Sequence, residues 1–317
     1  MENISSCPSC DGFSKTRRVN VLGKVLELKN YNCARDGGEY PLKPQKVKLQ
    51  LTVCPTSFCS ARCPFCIAKN TDKKQFLDIE KLKNTLYRLK EEDVVRGVSF
   101  SGGEPMTDFD LFNKCIKAVF EVLGLDTEIS VTTNGINLHR LNEIEYLSYI
   151  DAIHISRHHY DESINQSIFG VALPTNQQLT DIMHSVAFRD IFVLNCMLLK
   201  EHISTPYEAH KYLDFAIKAG AKKVSFITCA PINEYAKARI LDYTEVLKED
   251  DPDLLFTRGY RDFDYCRCQD GVYVSPEGGM IEFYGRSTDV SDCKYCRGFV
   301  YGSDNRLRVG FGGEVII

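Results

Sequence analysis

Short apolar runs alternate with amphipathic segments from residue 46 to about residue 230, and this alternation leaves few folds open. The runs are rich in Val, Ile or Phe, as buried strands are, and they lie at 47–53, 94–100, 128–133, 151–156, 191–198 and 223–228. Strands that alternate with helices form parallel sheets with right-handed crossovers. These units are too few for a closed eight-stranded barrel. We therefore predict an α/β fold built as an open, partial (β/α)6 barrel.

The segments between the runs carry apolar residues at helical spacing. They predict helices at 78–92, 108–123, 138–149, 176–188, 206–219 and 235–248. Asp78 is a suitable N-cap, Pro206 suits a first helical turn, and Gly124 and Gly220 suit helix ends. The predicted helices thus alternate with the predicted strands.

Three cysteines, Cys59, Cys63 and Cys66, follow the first predicted strand with the spacing C-x3-C-x2-C. Thiolates are soft ligands that suit iron–sulfur clusters, zinc or copper. A cubane cluster normally takes four cysteines, so three would leave one iron open to a substrate or cofactor. A zinc knuckle and buried structural cysteines are the alternatives.

The triplet, with the aromatic Phe65 before its last cysteine, resembles the radical S-adenosylmethionine (radical SAM) superfamily. The resemblance implies a [4Fe–4S] cluster held by Cys59, Cys63 and Cys66, with SAM bound at the open iron. It implies that the cluster, reduced by an external electron donor, cleaves SAM to a 5′-deoxyadenosyl radical that abstracts hydrogen from a substrate. A partial barrel of β/α units matches the core of this family.

The second predicted strand ends in Gly102-Gly103-Glu104-Pro105. In parallel sheets of this kind, chemistry gathers at the carboxyl ends of the strands. Two glycines permit a close approach of backbone and ligand, and a carboxylate can pair with an ammonium group. The segment resembles the Gly-Gly-Glu-Pro motif that holds the SAM amino group in the family. A structural turn is the alternative.

The next strand ends carry further polar residues. Thr-Asn134-Gly ends the third strand, a sequence that recurs at this place in radical SAM proteins, although Asn-Gly also marks ordinary turns. The resemblance places Ser156 near the SAM ribose and Arg157 near its carboxylate. Asn195 lies inside the apolar fifth strand, where a buried amide needs partners. It is either a ligand of the SAM carboxylate or ribose, or a satisfied core amide.

His158 and His159 follow the fourth strand. Adjacent strand residues point in opposite directions, so the pair does not easily share one metal ion. We expect one histidine to contact SAM or substrate and the other to cap a helix or face solvent. Cys115, Cys196 and Cys229 are predicted to be small buried core residues.

After about residue 252 the helical pattern stops, and two cysteine pairs are each followed by a hairpin-like stretch, at 271–283 and 298–311. Four thiolates suit a structural zinc ion or a fully ligated iron–sulfur cluster; four unrelated buried thiols are the alternative. In placement the segment resembles the twitch and SPASM extensions of radical SAM enzymes, which hold auxiliary clusters. The predicted ligands are Cys266, Cys268, Cys293 and Cys296.

Asn305-Arg306-Leu-Arg308 resembles part of the GTP cyclase of molybdopterin biosynthesis, with Asp304 in place of that family's flanking cysteine. Arg306 and Arg308 alternate along a predicted strand and can bind an anionic substrate. A solvated strand face is the alternative.

We divide the chain into an N-terminal segment at 1–45, a partial barrel at 46–250 and a cysteine-rich β extension at 251–317. The first segment has a predicted hairpin around Gly23, and Cys7 and Cys10 are either half of a metal site or idle thiols. A net charge of −4 gives no argument for nucleic acid or membrane binding. Fourteen cysteines without an export signal indicate a reducing compartment, so we expect the cytoplasm.

The resemblance implies a radical SAM enzyme whose substrate the barrel residues do not identify. A ribosomally made peptide is favoured by the cysteine-rich extension, and a nucleotide or another small anion by Arg306 and Arg308. A zinc-stabilised binding module without catalysis is the alternative from another class.

Overall fold

The computed structural model describes residues 16–29, 48–66, 75–186, 189–241, 245–248, 250–252, 255–261, 269–274, 280–284 and 298–317. The predicted metal ligands Cys7, Cys10, Cys266, Cys268, Cys293 and Cys296 lie outside these ranges. Within them, every helix is too short or too polar to cross a membrane.

The helices are α1 (Ile79–Glu91), α2 (Phe109–Leu123), α3 (Glu162–Phe169), α4 (Asn176–Ser185), α5 (Pro206–Ala219) and α6 (Glu234–Arg239). The strands are β1 (Thr16–Val21), β2 (Lys24–Lys29), β3 (Leu49–Val53), β4 (Val95–Phe100), β5 (Glu128–Thr133), β6 (Ala152–Ser156), β7 (Phe192–Leu198), β8 (Lys223–Thr228), β9 (Leu255–Arg261), β10 (Gln269–Val274), β11 (Met280–Tyr284), β12 (Gly298–Tyr301) and β13 (Leu307–Val309).

The central sheet has the strand order β13-β12-β3-β4-β5-β6-β7-β8-β11-β10-β9. Its middle is made of the six predicted strands, β3 to β8, which lie side by side in chain order and pair in parallel. The predicted α/β fold with a mostly parallel sheet is therefore confirmed. All six strands end at the same edge of the sheet, which we call the carboxyl edge.

The C-terminal strands extend this sheet on both sides. β11 pairs in parallel with β8, and β12 pairs in parallel with β3. The two predicted hairpins form, because β10 is antiparallel to β11 and β12 is antiparallel to β13. As β12 runs parallel to β3, the turn after β12 lies at the carboxyl edge. The N-terminal hairpin also forms, between β1 and β2.

The two faces of the sheet differ in polarity, since side chains alternate along each strand. One face carries buried apolar residues and packs against α1, α2, α4 and α5 in a single hydrophobic core. The paired residues Leu51, Val98, Ile155 and Leu194 are typical of it, each at most 1% exposed. The opposite face is polar, and we call it the polar face; it carries Thr52, Ser99, Ser130, Thr132, His154, Ser156, Asn195 and Ser225.

Several predicted helix ends are confirmed. The Asp78 carboxylate accepts hydrogen bonds from the backbone N–H groups of Glu80 and Lys81 at the start of α1. Such N-caps each contribute about 1 kcal/mol of stability. Pro206 occupies the first turn of α5, and Gly220 ends it in the left-handed conformation. α2 ends at Gly124 as predicted.

Two predicted helices are wrong in kind or length. Residues 138–149 form two short 3-10 segments, Leu138–Glu143 and Leu147–Tyr149, instead of an α-helix. The residue before them, Asn137, is in the left-handed conformation and makes no side-chain cap, and its amide nitrogen donates to the Met106 carbonyl. The helix predicted at 235–248 is only Glu234–Arg239, since the chain becomes extended at Ile240.

Helix α3 is absent from the sequence predictions. It has eight residues, too short for its apolar spacing to stand out. Its ends still carry clear signals, as Asp161 caps the first turn and Gly170 closes the last in the left-handed conformation. These two residues are the features from which it can be recognised.

Candidate functional site

Cys59, Cys63 and Cys66 lie in the loop that follows β3 at the carboxyl edge, which we call the cysteine loop (residues 54–66). All three are half-buried. The loop is held by its own backbone, because the Cys66 N–H donates to the Cys63 carbonyl at 3.1 Å. Arg62 adds two bonds: its guanidinium donates to the Cys59 carbonyl at 3.1 Å, and its N–H donates to the Phe169 carbonyl at 2.7 Å. The end of α3 therefore supports the loop.

The three thiols form one electrostatic group. Burial, with a smaller contribution from the charge of Cys66, raises the pKa of Cys59 to about 11 and the pKa of Cys63 to about 12. Cys59 and Cys63 are thus protonated unless a cation holds them as thiolates, and bound metal does this. The donor set fits an iron–sulfur cluster, whose irons are held by cysteine thiolates. In the described ranges no three His, Cys, Asp or Glu side chains are gathered closely enough to hold a single metal ion as they stand.

Phe65 and His158 pack together behind the cysteine loop. Phe65 is 7% exposed, and its ring meets the His158 ring edge-on, with centroids 5.1 Å apart. The other face of His158 stacks on Phe169, with centroids 4.8 Å apart and an interplanar angle of 11°. His158 Nδ1 accepts the N–H of Met197, so the ring proton lies on Nε2. Burial lowers the pKa of His158 to about 3, and the ring is neutral near pH 7.

His159 lies apart from the cysteine loop. Its Nδ1 accepts a hydrogen bond from the Asp161 N–H at 2.9 Å, just before α3, and its ring packs on Tyr160. The two histidine side chains therefore lie in different places, as expected for adjacent residues whose side chains point in opposite directions. His158 lies beside the candidate metal site, and His159 stabilises the approach to α3.

The Gly-Gly-Glu-Pro turn (residues 102–105) packs directly on the cysteine loop. The Gly103 N–H donates to the Thr56 carbonyl, and the Glu104 N–H donates to the Phe58 carbonyl at 2.8 Å. A methyl group at Gly103 would lie 2.3 Å from the Phe58 carbonyl oxygen, and one at Gly102 would lie 2.7 Å from Cys54 Cβ. The glycines thus allow a close approach of two protein loops. Pro105 is buried and begins the 3-10 turn Pro105–Thr107.

Glu104 is 2% exposed and links two strand ends. Its Oε1 accepts hydrogen bonds from Thr133 Oγ1 at 2.7 Å and from the Met106 N–H at 3.0 Å. Its Oε2 accepts from the Asn134 N–H at 2.7 Å. Burial raises the pKa of Glu104 to about 7, against the lowering effect of these bonds. The carboxylate therefore joins the end of β4 to the end of β5, and its contact with an ammonium group stays a prediction.

Asn134 connects that turn with the cysteine loop. Its Oδ1 accepts the Ile136 N–H at 2.9 Å, and its Nδ2 donates to Cys59 Sγ at 3.7 Å. Asn134 is only 6% exposed. Three of the sequence-predicted residues, Glu104, Asn134 and Cys59, are thus joined in one chain of hydrogen bonds.

Four polar residues form a row across the polar face at one level of the sheet. The strand register pairs Ser156 with Asn195 and Asn195 with Ser225, and the pairing of Thr133 with Ile155 places Asn134 next to Ser156. The sequence predicted Asn134, Ser156 and Asn195 as site residues, but it did not predict Ser225. The Ser225 hydroxyl is fully buried and has no hydrogen bond within the described part of the chain. A serine inside the run Val224-Ser-Phe-Ile was the available signal.

Asn195 is already partnered on the polar face. Its Oδ1 lies 3.2 Å from His154 Nδ1, one step lower on β6. The amide is 8% exposed, so it resembles the satisfied core amide that the sequence left open. Its Nδ2 group is still directed away from that bond, and its role toward SAM stays a prediction.

Arg157 continues β6 on the helix side of the sheet, as its position after Ile153 and Ile155 requires. It is 1% exposed, and its Nη2 donates to the Pro174 carbonyl and to Asn176 Oδ1, both at 2.8 Å. Burial lowers the pKa of Arg157, and its Nε has no hydrogen bond within the described ranges. The structure thus places the guanidinium at the start of α4, and its contact with the SAM carboxylate stays a prediction.

Arg308 lies on β13, the strand that follows the turn after β12 at the carboxyl edge. Its guanidinium makes two hydrogen bonds with the Asp304 carboxylate. This pairing raises the pKa of Arg308 and lowers the pKa of Asp304. The charges of both residues act on Cys54, so the pair lies near the start of the cysteine loop. Arg306 is exposed, as the alternative of a solvated face predicts.

The buried cysteines outside the loop behave as predicted. Cys115 and Cys196 are fully buried in the main core, and Cys229 is 1% exposed in a small cluster that includes Phe65. Burial raises the pKa of Cys115 and Cys196 well above the ordinary value. They are neutral apolar residues of the interior.

Comparison with known proteins adds an independent observation. The sequence profile of the radical SAM superfamily matches residues 53–213, a range that holds the cysteine loop, the Gly-Gly-Glu-Pro turn and α1 to most of α5. The probable GTP 3′,8-cyclase of Sulfurisphaera tokodaii is 28% identical over 187 residues, which is 57% of this chain and 56% of that protein. The S-adenosylmethionine-dependent nucleotide dehydratase of Oncorhynchus mykiss is 34% identical over 116 residues, 36% of this chain and 32% of that protein.

The chain thus spans about half or less of the length of these two curated relatives. Among solved structures, Streptococcus suis SuiB bound to S-adenosylmethionine has a TM-score of 0.49 and 20% identity, covering 62% of this chain and 44% of that one. This likeness is too distant to assign a substrate.

Proposed function

The chain belongs to the radical SAM superfamily of enzymes, and on this basis we propose that it cleaves SAM reductively at a [4Fe–4S] cluster. Cys59, Cys63 and Cys66 would hold the cluster. When bound, the cluster would pass one electron from an external donor to SAM, which breaks into methionine and a 5′-deoxyadenosyl radical that takes a hydrogen atom from the substrate. The observation that carries the proposal is the half-buried thiol group at the carboxyl edge, where burial raises the pKa of Cys59 and Cys63 and no cation of the described residues lowers it.

The neighbouring strand ends are the proposed SAM site. This proposal is supported by their common level at the carboxyl edge and by their bonds to the cysteine loop. The burial of Glu104 supports it too, because an ammonium group close to that carboxylate would relieve the cost of its charge. The residues are Phe65, Gly102, Gly103, Glu104, Pro105, Asn134, Ser156 and Asn195. Arg157 was predicted from the resemblance as well, but its guanidinium bonds to Pro174 and Asn176 support a direct contact with SAM least.

Two substrate classes follow from different parts of the chain. A peptide, modified as ribosomally made peptides are, is the first proposal, and it rests on the cysteine-rich extension at 251–317. A nucleotide or another small anion is the second, and it rests on the exposed Arg306 and on Arg308, which pairs with Asp304 near the start of the cysteine loop. Of the two curated relatives, one is a probable GTP 3′,8-cyclase and the other a nucleotide dehydratase, which is in line with this second class.

The test of the proposed chemistry is SAM cleavage by anaerobically reconstituted protein. With dithionite as electron donor, we expect 5′-deoxyadenosine and methionine from the wild type and neither from Cys63→Ala. Cys115→Ala is the matched control, since Cys115 is a fully buried cysteine of α2 far from the loop in sequence. Cleavage that survives Cys63→Ala would contradict the central assignment.

Metal analysis of the same preparations separates the remaining alternatives. Iron with acid-labile sulfide supports the enzyme, and zinc alone supports the binding module. Iron beyond four atoms per chain that disappears in Cys266→Ala or Cys293→Ala would assign an auxiliary cluster to the C-terminal cysteines. One zinc atom lost in the same variants would assign a structural zinc site there.

A further inference from the structure

The side chain of Asn134 is held in one orientation at the cysteine loop. The Ile136 N–H can be accepted only by Oδ1, at 2.9 Å, so the amide nitrogen must face the other way. There it donates to Cys59 Sγ, with Nδ2 and the sulfur 3.7 Å apart. Since Asn134 is 6% exposed, water hardly competes for this bond.

The backbone around Asn134 is fixed as well. Glu104 Oε2 accepts the Asn134 N–H, while Oε1 accepts the Thr133 hydroxyl. That hydroxyl in turn accepts the Gly135 N–H at 3.0 Å. Gly135 has φ +95°, a conformation that other residues rarely adopt. The turn at 133–135 is therefore clamped before any ligand binds, and the amide is preorganised toward the sulfur.

A neighbouring residue shows that this contact is specific. Asn195 belongs to the same row at the carboxyl edge, yet its amide oxygen meets His154 on the polar face. Of the sequence-predicted SAM residues, all of which the structure describes, Asn134 is the one whose side chain is recorded donating a hydrogen bond to a thiol of the triplet.

We propose that Asn134 is a positioning residue whose amide N–H raises the reduction potential of the cluster at the cysteine loop. The inference rests on the proposed function, since it requires a cluster ligated by Cys59. Reduction adds one electron from the external donor, and no bond forms or breaks in that step. Hydrogen bonds to cluster sulfurs are among the factors that set such potentials. A donor aimed at the Cys59 sulfur stabilises the added negative charge, so the reduced state forms more readily.

The experiment measures the reduction potential of the cluster without SAM, in anaerobically reconstituted full-length protein. Four proteins are compared: wild type, Asn134→Ala, Asn134→Asp and Asn195→Ala. Iron and sulfide content and the electron paramagnetic resonance signal after reduction establish that each holds the same cluster type. Asn134→Asp keeps an oxygen to accept the Ile136 N–H but has no N–H to donate to sulfur, so it preserves the turn while removing the bond.

We expect the potential to fall in Asn134→Ala, to fall further in Asn134→Asp, and to stay at the wild-type value in Asn195→Ala. Equal potentials in wild type and both Asn134 variants would overturn the inference and leave the proposed function intact. Loss of the cluster from both Asn134 variants would also overturn it, because the bond would then serve assembly and not the potential. If Asn134→Ala alone loses the cluster, an unchanged potential in Asn134→Asp would overturn the inference, because the lost bond and the added carboxylate charge would both lower that potential. A wild type without an iron–sulfur cluster would instead overturn the proposed function.

Discussion

The imidazole of His158 meets the ring of Phe65 edge-on, with the centroids 5.1 Å apart. Phe65 stands directly before Cys66, so this contact joins β6 to the cysteine loop. His158 is itself fixed by the Met197 N–H and by stacking on Phe169, at the end of α3. One residue thus ties three separate parts of the chain to the candidate metal site.

From this follows a prediction for His158→Ala. Each aromatic contact contributes roughly 0.5–1.5 kcal/mol, and the variant loses two of them, so the loop should open more readily. We expect the reconstituted variant to release iron to a chelator about tenfold faster than the wild type. His159→Ala is the control, because that ring is also buried but packs on Tyr160 away from the loop. Equal rates of iron release in both variants would contradict the role of His158.

The backbone around the site could be read from the sequence to a large extent. The six apolar runs became β3 to β8 within two residues at either end, because buried parallel strands need continuous apolar stretches. The start of α1 was also predictable, because its N-cap residue Asp78 can be recognised in the sequence. Helix prediction failed at 138–149, where Asn137 adopts the left-handed conformation and leaves the first turn without a side-chain cap. Helix propensity alone does not predict this conformation of the residue before the helix.

The sequence predicted residues that the structure brings together, but it missed Ser225 and did not give the contacts. Strand ends and the cysteine spacing identify Cys59, Glu104 and Asn134, but local sequence does not give their directions. Glu104 accepts a hydrogen bond from the end of β5, and the Arg157 guanidinium donates to the start of α4. Both contacts depend on the strand register, which sets the face of the sheet on which each side chain lies. The parallel pairing of β12 with β3, which brings Arg308 to this edge, joins residues nearly 250 positions apart.

A second prediction compares two glycines with similar backbone conformations. Gly102 has φ +112° and Gly124 has φ +105°, so alanine is strained at both. Only at Gly102 does the new methyl group meet protein, at 2.7 Å from Cys54 Cβ. We expect Gly102→Ala to lower the free energy of unfolding by about 1–3 kcal/mol more than Gly124→Ala, the usual cost of overpacking. Denaturant unfolding of the metal-free proteins measures this difference, and equal losses would show that the loops do not pack so tightly.

A third prediction concerns the pH dependence of stability that Glu104 causes. Its pKa is raised in the folded protein from 4.5 to about 7 by burial. A raised pKa means that the contribution of Glu104 to stability is fully present below pH 4.5 and is lost as pH rises to about 7. The loss is on the order of 3 kcal/mol.

Glu104→Gln tests this sign, because the amide does not titrate. The slope of unfolding free energy against pH between 4.5 and 7 should be more negative in the wild type than in the variant. Glu121→Gln is the control, because Lys83 lowers the pKa of Glu121. Removing the Glu121 carboxylate should therefore leave the fall of unfolding free energy between pH 4.5 and 7 as steep as in the wild type. Parallel profiles of wild type and Glu104→Gln would show that the folded carboxyl keeps an ordinary pKa.

A fourth prediction distinguishes a role of Arg157 in stabilising the fold from a role in binding SAM directly. Its guanidinium donates to the Pro174 carbonyl and to Asn176 Oδ1, while the Tyr212 hydroxyl donates to the Arg157 carbonyl at 2.6 Å. Arg157→Met removes the side-chain bonds, and bonds to charged groups contribute about 1.5–3 kcal/mol each. We therefore expect a clear loss of unfolding free energy and little change in the SAM affinity of the folded, cluster-loaded protein, measured by calorimetry. Tyr212→Phe, which keeps the guanidinium, should lose only about 1 kcal/mol. A tenfold loss of SAM affinity at unchanged stability would instead assign Arg157 to the SAM carboxylate, because only direct contact with the ligand separates binding from folding in this way.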